Sequence, residues 1–209
     1  LLLLVGAGLF VRTLLNLQRV EPGFNTRNLL LFGVQPGLIG YKEDRLTQLY
    51  QQMAERIEAL PGAQAVTFSR MTLLSGGASS RGVFLREALS APPDSEGGIK
   101  PSGDGYVHHV RENFLEAMGI PLLGGRALKS SDEAKSPKVV VVNQTFANKY
   151  FPDENPIGKR FSFSFGKPEG QGIWRQVVGV VKSTRHTGLD KEPRAEVYVP
   201  IEQQSWSQD

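Results

Sequence analysis

The chain has 209 residues, of which 40% are apolar, 22% are charged and none is cysteine. This composition is typical of a globular protein and is sufficient for one large domain or two small ones. The absence of cysteine excludes disulfide scaffolds, thiol nucleophiles, thiolate zinc sites and iron–sulfur clusters. The formal net charge is only +3 and the basic residues are scattered among acidic ones, a pattern that disfavours nucleic acid as a partner.

The first eleven residues, 1–11 (LLLLVGAGLFV), contain no polar side chain. As a helix they would cover roughly 16 Å of a hydrocarbon core that is about 30 Å thick. A secretory signal would add an initial Met, a basic segment and a cleavage site, and these are missing here. We therefore expect residues 1–11 to be the end of a transmembrane helix that belongs to a longer protein. A buried amphipathic helix is the alternative.

Residues 12–27 are predicted to form a stalk that leaves the membrane. Leucines alternate with polar residues over 12–20, which suits a helix, and Glu21, Pro22 and Gly23 then end it.

Residues 28–70 show the order strand, helix, strand. The run 28–35 (NLLLFGVQ) reads as a strand, and residues 63–70 read as a returning strand. Between them, apolar residues recur at steps of three and four over 42–60, which predicts a helix. This order is the layout of a split βαβ, or ferredoxin-like, layer.

The rest of the chain is rich in predicted strands. Segments 75–82 and 88–105 are rich in Gly, Ser and Pro and are predicted to be loops around a short strand at 83–86. Asn143 is predicted to cap a helix that ends before Pro152. Further strands are expected at 106–110, 138–142, 160–165, 174–181 and 195–199, with a short helix at 112–118.

Motifs for enzyme chemistry are not found in the sequence. Gly158 and Lys159 are followed by Arg160, so the pattern of a phosphate-binding loop is not met. The serines at 75, 79 and 80 do not match a nucleophile elbow. We therefore predict no catalytic residue and no cofactor.

The sequence also predicts no metal site. His108 and His109 are neighbours on a strand, where successive side chains point to opposite faces and cannot bind one metal together. The third histidine, His186, lies in a polar segment, and no HExxH-type helix is present.

Four stretches of the chain carry a family resemblance. They are GAGLFVRTLLNLQRVEPGF (6–24), VRENFLEAMGIPLLGGRAL (110–128), VVVVNQTFANKYFPDENPIGKRF (139–161) and QVVGVVKSTRHTGLDKEPRAEVYVP (176–200). The chain resembles the extracytoplasmic core domain of MacB-like and FtsX-like ABC transporter permeases, especially the stand-alone "orphan" bacterial permeases. The third stretch is the most specific of the four.

The resemblance implies an α+β fold preceded by the end of a transmembrane helix. Residues 28–118 would form a porter-like βαβ subdomain, the ferredoxin-like half, which is incomplete here. Residues 119–199 would form a second, sabre-like α/β subdomain, and 200–209 would begin the return segment. Two departures from the family stand out. Lys42 replaces the usual polar cap of the long helix, and the expected return strand is missing, which predicts an exposed edge.

The same resemblance implies a role and partners. The domain would relay ATP-driven motion without catalysing a reaction, at the inner membrane, with residues after about 20 in the periplasm. Its partners would be a cytoplasmic ABC ATPase subunit, a second permease copy that forms a dimer, and the membrane, while docking of a periplasmic adaptor is left open. The family-motif residues, expected to have structural roles, are Pro121, Gly125, Arg126, Asn143, Phe151, Pro152, Pro156, Gly158 and Gly179.

Two other classes of protein stay open at this stage. One is a membrane-anchored serine hydrolase that uses Ser79 or His186, which requires a base and a nucleophile within hydrogen-bond reach. The other is a ligand-binding sensor ectodomain with an enclosed pocket.

Overall fold

The computed structural model of the chain describes residues 2–40, 43–70, 79–86, 100–163, 173–186 and 188–203. Within these ranges it contains both helices and strands. The α-helices are α1 (Leu2–Arg19), α2 (Glu43–Glu58), α3 (Phe114–Ala117) and α4 (Gln144–Tyr150). The strands are β1 (Ser80–Leu85), β2 (Gly103–Val110), β3 (Leu122–Gly125), β4 (Val139–Asn143), β5 (Arg160–Ser162), β6 (Trp174–Val181) and β7 (Glu196–Pro200). Short 3-10 helices cover Pro36–Ile39 and Ile201–Gln203.

All the described strands belong to one mixed sheet with the order β3-β6-β4-β7-β2-β1-β5. Strand β5 also pairs with β6, so six of the seven strands form a closed circuit of hydrogen-bonded neighbours. Pairs β2–β7 and β4–β6 are parallel, and the other pairs are antiparallel. Strands from both sides of residue 118 share this sheet, and the boundary between the two subdomains stays a prediction.

The sheet buries a separate apolar cluster on each face. Strand β4 shows the alternation, because Val139 and Val141 join one cluster while Val140 and Val142 join the other. The first cluster lies under α3 and includes Phe114 and Met118, and we call this side the α3 face. The second lies under α4, and we call it the α4 face. The continuous apolar run of β4 is therefore explained by burial on both sides.

Several predicted elements are confirmed. Helix α2 lies within the predicted 42–60, and β6 covers the predicted 174–181. The predicted cap of α4 is also confirmed, since the Asn143 side chain accepts a hydrogen bond from the Phe146 amide at 2.8 Å. Of the predicted loops, residues 75–78 and 88–99 lie outside the described residues, whereas 80–82 belong to β1 and 103–105 belong to β2, so the loop prediction is wrong at these positions.

The two strands predicted around α2 are wrong. Residues 28–35 and 63–70 are extended or turn-like, and their recorded sheet contact is a single bridge between Ser69 and Val110. A strand requires a partner for its backbone groups, and in 28–35 apolar side chains such as Leu30 (82% exposed) lie open to solvent. The βαβ layer is therefore not formed by the described residues. Strand β3 was not predicted from the sequence, because Pro121 precedes it and it contains two glycines.

Helix α1 runs through the predicted membrane segment and most of the predicted stalk. Its apolar side chains are solvent-exposed, with Leu3 at 90% and Phe10 at 70%. Among the helices of the described residues, none has both the length and the apolar character needed to cross a membrane. The assignment of residues 1–11 to a transmembrane helix stays a prediction.

Candidate functional site: a buried carboxylate and two imidazoles

The parallel pairing of β2 with β7 places three polar side chains on the α3 face. His108 on β2 is the register partner of Tyr198 on β7. Glu196 lies two residues before Tyr198, so both side chains point to the same side of the sheet. Tyr198 belongs to the apolar cluster of the α3 face, and Glu196 is only 2% exposed. A carboxylate is therefore built into the core of the protein.

The segment that follows β6 completes the site. It brings Thr184 and His186 to the carboxylate, and both residues are buried. The His186 ring stacks on the His108 ring, with centroids 4.4 Å apart and planes 21° apart. We call His108, Thr184, His186, Glu196 and Tyr198 the histidine–glutamate cluster.

Hydroxyl and amide donors surround one oxygen of the carboxylate. Oε2 of Glu196 accepts hydrogen bonds from the hydroxyls of Thr184 and Tyr198, each at 3.1 Å. The Asn143 amide nitrogen lies 3.5 Å from the same oxygen, and its amide oxygen accepts from the Glu196 backbone N–H at 3.0 Å. Because a buried charge is tolerated only when it is hydrogen-bonded or paired, these donors explain why the carboxylate can be buried.

The imidazoles approach both oxygens. His186 Nδ1 lies 3.1 Å from Oε1 and 3.1 Å from Oε2 of Glu196, and His108 Nε2 lies 3.8 Å from Oε1. Burial raises the pKa of Glu196, but the close approach of the His108 and His186 imidazoles outweighs the effect of burial and brings this pKa to about 2. Burial lowers the pKa of His108. Burial also raises the pKa of Tyr198 well above its ordinary value. At neutral pH the carboxylate is therefore ionised and the Tyr198 hydroxyl donates to it.

The geometry around His186 does not match a hydrolase relay. The Thr184 hydroxyl lies 2.6 Å from Nδ1 of His186, the same nitrogen that meets Glu196. A nucleophile–base–carboxylate relay needs the hydroxyl and the carboxylate on different ring nitrogens. Ser79, the serine of the hydrolase alternative, accepts a backbone hydrogen bond from Val107 within the sheet. The hydroxyl in contact with His186 is that of a buried threonine.

Residues 22–25, which we call the strap, join α1 to this site. The Pro22 carbonyl accepts a hydrogen bond from the Arg185 amide at 2.8 Å, and the Asn25 amide donates to the Met118 carbonyl at 2.7 Å. Phe24 is 8% exposed, and its ring centroid lies 6.3 Å from that of His186. The strap is therefore packed on the α3 face directly beside the histidine–glutamate cluster.

Of the predicted family-motif residues, Asn143 touches the cluster. Gly125 and Gly179 instead allow β3 to lie close to β6, since a Cβ at Gly179 would lie 2.1 Å from the Arg126 carbonyl oxygen. Gly158, with φ of +89°, shapes the turn that leads into β5. Pro121 directly precedes β3, Phe151 and Pro152 follow the end of α4, and Pro156 precedes the turn that contains Gly158.

Arg126 forms a salt bridge with Asp132, and neither residue belongs to the histidine–glutamate cluster. Its guanidinium donates to both carboxylate oxygens, at 2.8 and 2.9 Å, and the Lys129 amide donates to the same carboxylate at 2.9 Å. Burial raises the pKa of Asp132, but these hydrogen bonds and the positive charge of Arg126 lower it by more. The pKa of Asp132 is therefore below its ordinary value. The predicted motif arginine therefore shapes the chain after β3.

Sequence reasoning missed most of the cluster. His108 and His109 are neighbours on β2 and point to opposite faces, as predicted, but His186 and Glu196 reach His108 from distant positions in the sequence. One signal was available: Glu196 is the only acidic residue in the strand-like run 195–199 (AEVYV), where a charge has to find donors.

The chain belongs to the MacB-like periplasmic core domain family, whose profile matches residues 4–209. The resemblance stated from the four sequence stretches is thereby confirmed.

Individual relatives are more distant, and each extends beyond the matched region. The macrolide export ATP-binding/permease protein MacB of Marinobacter nauticus is 27% identical over 121 residues, which cover 56% of this chain and 18% of that protein. The periplasmic region of MacB from Actinobacillus actinomycetemcomitans is 22% identical, with a TM-score of 0.48, over 73% of this chain and 55% of that one. The extracellular domain of the noncanonic ABC-type transporter YknZ from Gram-positive bacteria is 19% identical, with a TM-score of 0.45, over 72% and 62%.

The substitution Thr184→Val tests whether the cluster stabilises the fold. It keeps the shape of the side chain but removes the hydroxyl that donates to Glu196, so we expect a loss of about 1–3 kcal/mol in the free energy of unfolding. Thr145→Val is the matched control, because the Thr145 hydroxyl bonds Ser183 in a half-buried position and its loss should cost less than about 1 kcal/mol. Urea denaturation measures both values. Equal losses in the two variants would contradict the assignment.

The Arg126–Asp132 pair predicts a pH dependence. At pH 7, Asp132→Asn should lower the free energy of unfolding by about 1–3 kcal/mol, because charge-assisted hydrogen bonds are lost. Since the pKa of Asp132 is lowered in the folded state, its contribution is complete above the unfolded pKa of about 3.9 and disappears as the pH falls through the lower folded value. Denaturation of both proteins between pH 7 and pH 3 should show the difference shrinking. A difference that stays constant would refute the pairing.

Proposed function

We propose that this chain is the non-catalytic periplasmic part of an ABC transporter permease and relays ATP-driven motion across the inner membrane. Membership of the MacB-like periplasmic core domain family supports the transporter setting. In this proposal residues 1–11 end a transmembrane helix, residues after about 20 lie in the periplasm, and the periplasmic part comprises the porter-like (28–118) and sabre-like (119–199) subdomains.

The partners follow from the same proposal. They are a cytoplasmic ABC ATPase subunit, a second permease copy and the membrane, while docking of a periplasmic adaptor is left open. The name of the Marinobacter relative states macrolide export and ATP binding. We extend to this chain the more general role of export, or of handling substrates and partner proteins outside the cytoplasm.

The observation that carries the proposal is the attachment of α1 to the sheet through the strap. Packed side chains and hydrogen bonds between two elements can carry the motion of one to the other. The strap provides two backbone hydrogen bonds, to Arg185 and Met118, and the buried ring of Phe24. A displacement of α1 would therefore be transmitted to the α3 face instead of being absorbed by a loose linker.

Gly23 provides a way to weaken this attachment. Its φ is +86°, and a Cβ would lie 2.8 Å from the Ser183 carbonyl oxygen and 3.1 Å from the Thr184 Cα. Gly23→Ala therefore meets both backbone strain of about 1–2 kcal/mol and a contact with the segment after β6. Gly62→Ala is a matched control, because Gly62 has a φ of +92° and no atom lies within 4 Å of the added Cβ.

The test uses the whole transporter that contains this chain, with its ATPase, and spin labels at Glu55→Cys on α2 and Glu133→Cys. The chain has no other cysteine, so the labels are unambiguous within it. We expect ATP to change the distance between the labels in the unmodified transporter and in Gly62→Ala. In Gly23→Ala the population that responds should fall about tenfold, as a change of 1.4 kcal/mol implies, while ATP hydrolysis continues.

A Gly23→Ala transporter that responds like the Gly62→Ala transporter would show that the strap does not carry the motion. A transporter in which ATP changes no distance in any variant would remove the relay altogether.

A further inference from the structure

The histidine–glutamate cluster contains buried nitrogen atoms whose hydrogen-bonding capacity is unused. Nε2 of His108 and Nε2 of His186 are shielded from solvent and have no hydrogen-bond partner among the described residues. Buried polar atoms are nearly always partnered, so two such atoms in one cluster require an explanation. The recorded ion-pair partners of Glu196, in the part of the chain described, are these same two imidazoles. No lysine or arginine is recorded there as its partner.

The three side chains offer a convergent set of ligand atoms. One atom from each of His108, His186 and Glu196 can be chosen so that all lie within 4.8 Å of one another. A tetrahedral ion with bonds of about 2.0–2.1 Å holds its ligand atoms roughly 3.3 Å apart. The separation of 3.8 Å between His108 Nε2 and Glu196 Oε1 is close to that value. The stacked rings would have to rotate about their Cβ–Cγ bonds for both nitrogens to converge, and such torsions have broad minima.

The hydrogen bonds around the carboxylate already orient it as a ligand. Thr184 and Tyr198 both donate to Oε2, while Oε1 lies 3.1 Å from His186 Nδ1 and 3.8 Å from His108 Nε2. Partners of this kind, behind the ligating atoms, are what hold the carboxylates of metal sites in position. The arrangement thus resembles a ligand set with its supporting shell in place.

We propose that His108, His186 and Glu196 bind one Zn²⁺ ion through two imidazole nitrogens and one carboxylate oxygen. Imidazole with carboxylate suits a borderline cation such as Zn²⁺, whereas Mg²⁺ and Ca²⁺ prefer oxygen ligands alone. The ion links β2, β7 and the segment after β6, and His186 lies against Phe24 of the strap. Zinc therefore strengthens the place where the strap is attached. This inference does not depend on the proposed function.

Zinc binding is tested directly on the full chain, with any affinity tag removed and after treatment with a chelator. Addition of ZnCl₂ should show one ion per chain by calorimetry. At a hundredfold excess over Kd, the unfolding temperature should rise by roughly 5–10 °C. MgCl₂ at the same concentration should leave the temperature unchanged. Co²⁺ in place of zinc should give the strong visible absorption of a four-coordinate site.

Variants identify the ligands. His186→Gln and Glu196→Gln should each weaken zinc binding by about a hundredfold or more. His109→Gln is the matched control, because His109 is buried on the same strand as His108 but points to the opposite face, and it should bind as the unmodified chain does. If Glu196→Gln does not fold, His186→Gln and the Co²⁺ spectrum still decide the outcome.

Three results would overturn the proposal. The unmodified chain could fail to bind zinc at millimolar concentration. His186→Gln could bind zinc as tightly as the unmodified chain. Finally, His109→Gln could lose zinc binding together with His186→Gln and Glu196→Gln, which would indicate that zinc binds elsewhere on the chain and not specifically at this site.

Discussion

The ionised side chain of Glu196 lies in the core of the protein, and much of the surrounding structure is arranged to satisfy it. Its oxygens receive hydrogen bonds from Thr184 and Tyr198 and face the rings of His186 and His108. These groups come from β2, from β7 and from the segment after β6. Since an unpaired buried carboxylate would cost several kcal/mol, the chain segments that supply its partners are held together.

The same constraint extends to the N-terminal helix. The segment after β6 carries Thr184 and His186 to the carboxylate, and Arg185, which lies between them, donates its amide to the Pro22 carbonyl of the strap. The position of the strap therefore depends on how firmly Glu196 holds the segment after β6. The connection between α1 and the folded domain therefore passes next to a buried polar cluster and not through apolar contacts alone.

Local patterns in the sequence were sufficient to predict α2, β6 and the cap of α4. Helix α2 follows from apolar spacing, β6 from alternation over 174–181, and the cap of α4 from one asparagine between an apolar run and a helix. The strands expected at 28–35 and 63–70 failed for a different reason, because a strand exists only when another strand accepts its backbone hydrogen bonds. Residues 28–35 belong to no strand of the described structure, and the pairing of 63–70 with β2 is limited to the single bridge between Ser69 and Val110.

The cluster could not be predicted because it depends on register. His108 lies beside Glu196 because β2 and β7 are parallel and His108 is paired with Tyr198. If the pairing of one strand shifted by one residue, its side chains would point to the other face of the sheet. Nothing in the spacing of the histidines in sequence encodes that pairing. Glu196, an acidic residue in an apolar strand, was the one available sign of the cluster. It indicates that the carboxylate has hydrogen-bond partners but does not identify them.

Native-state hydrogen exchange of single amides tests most directly whether Glu196 holds the strap in place. The amides to follow are those of Asn25 and Arg185, which bond Met118 and Pro22, with the Phe151 amide, bonded to Ala147, as an internal reference on the α4 face. In Glu196→Gln we expect protection of Asn25 and Arg185 to fall about tenfold relative to Phe151, because the segment beneath the strap loosens first. If all three amides lose protection equally, or if Asn25 and Arg185 are unaffected, the carboxylate does not hold the strap.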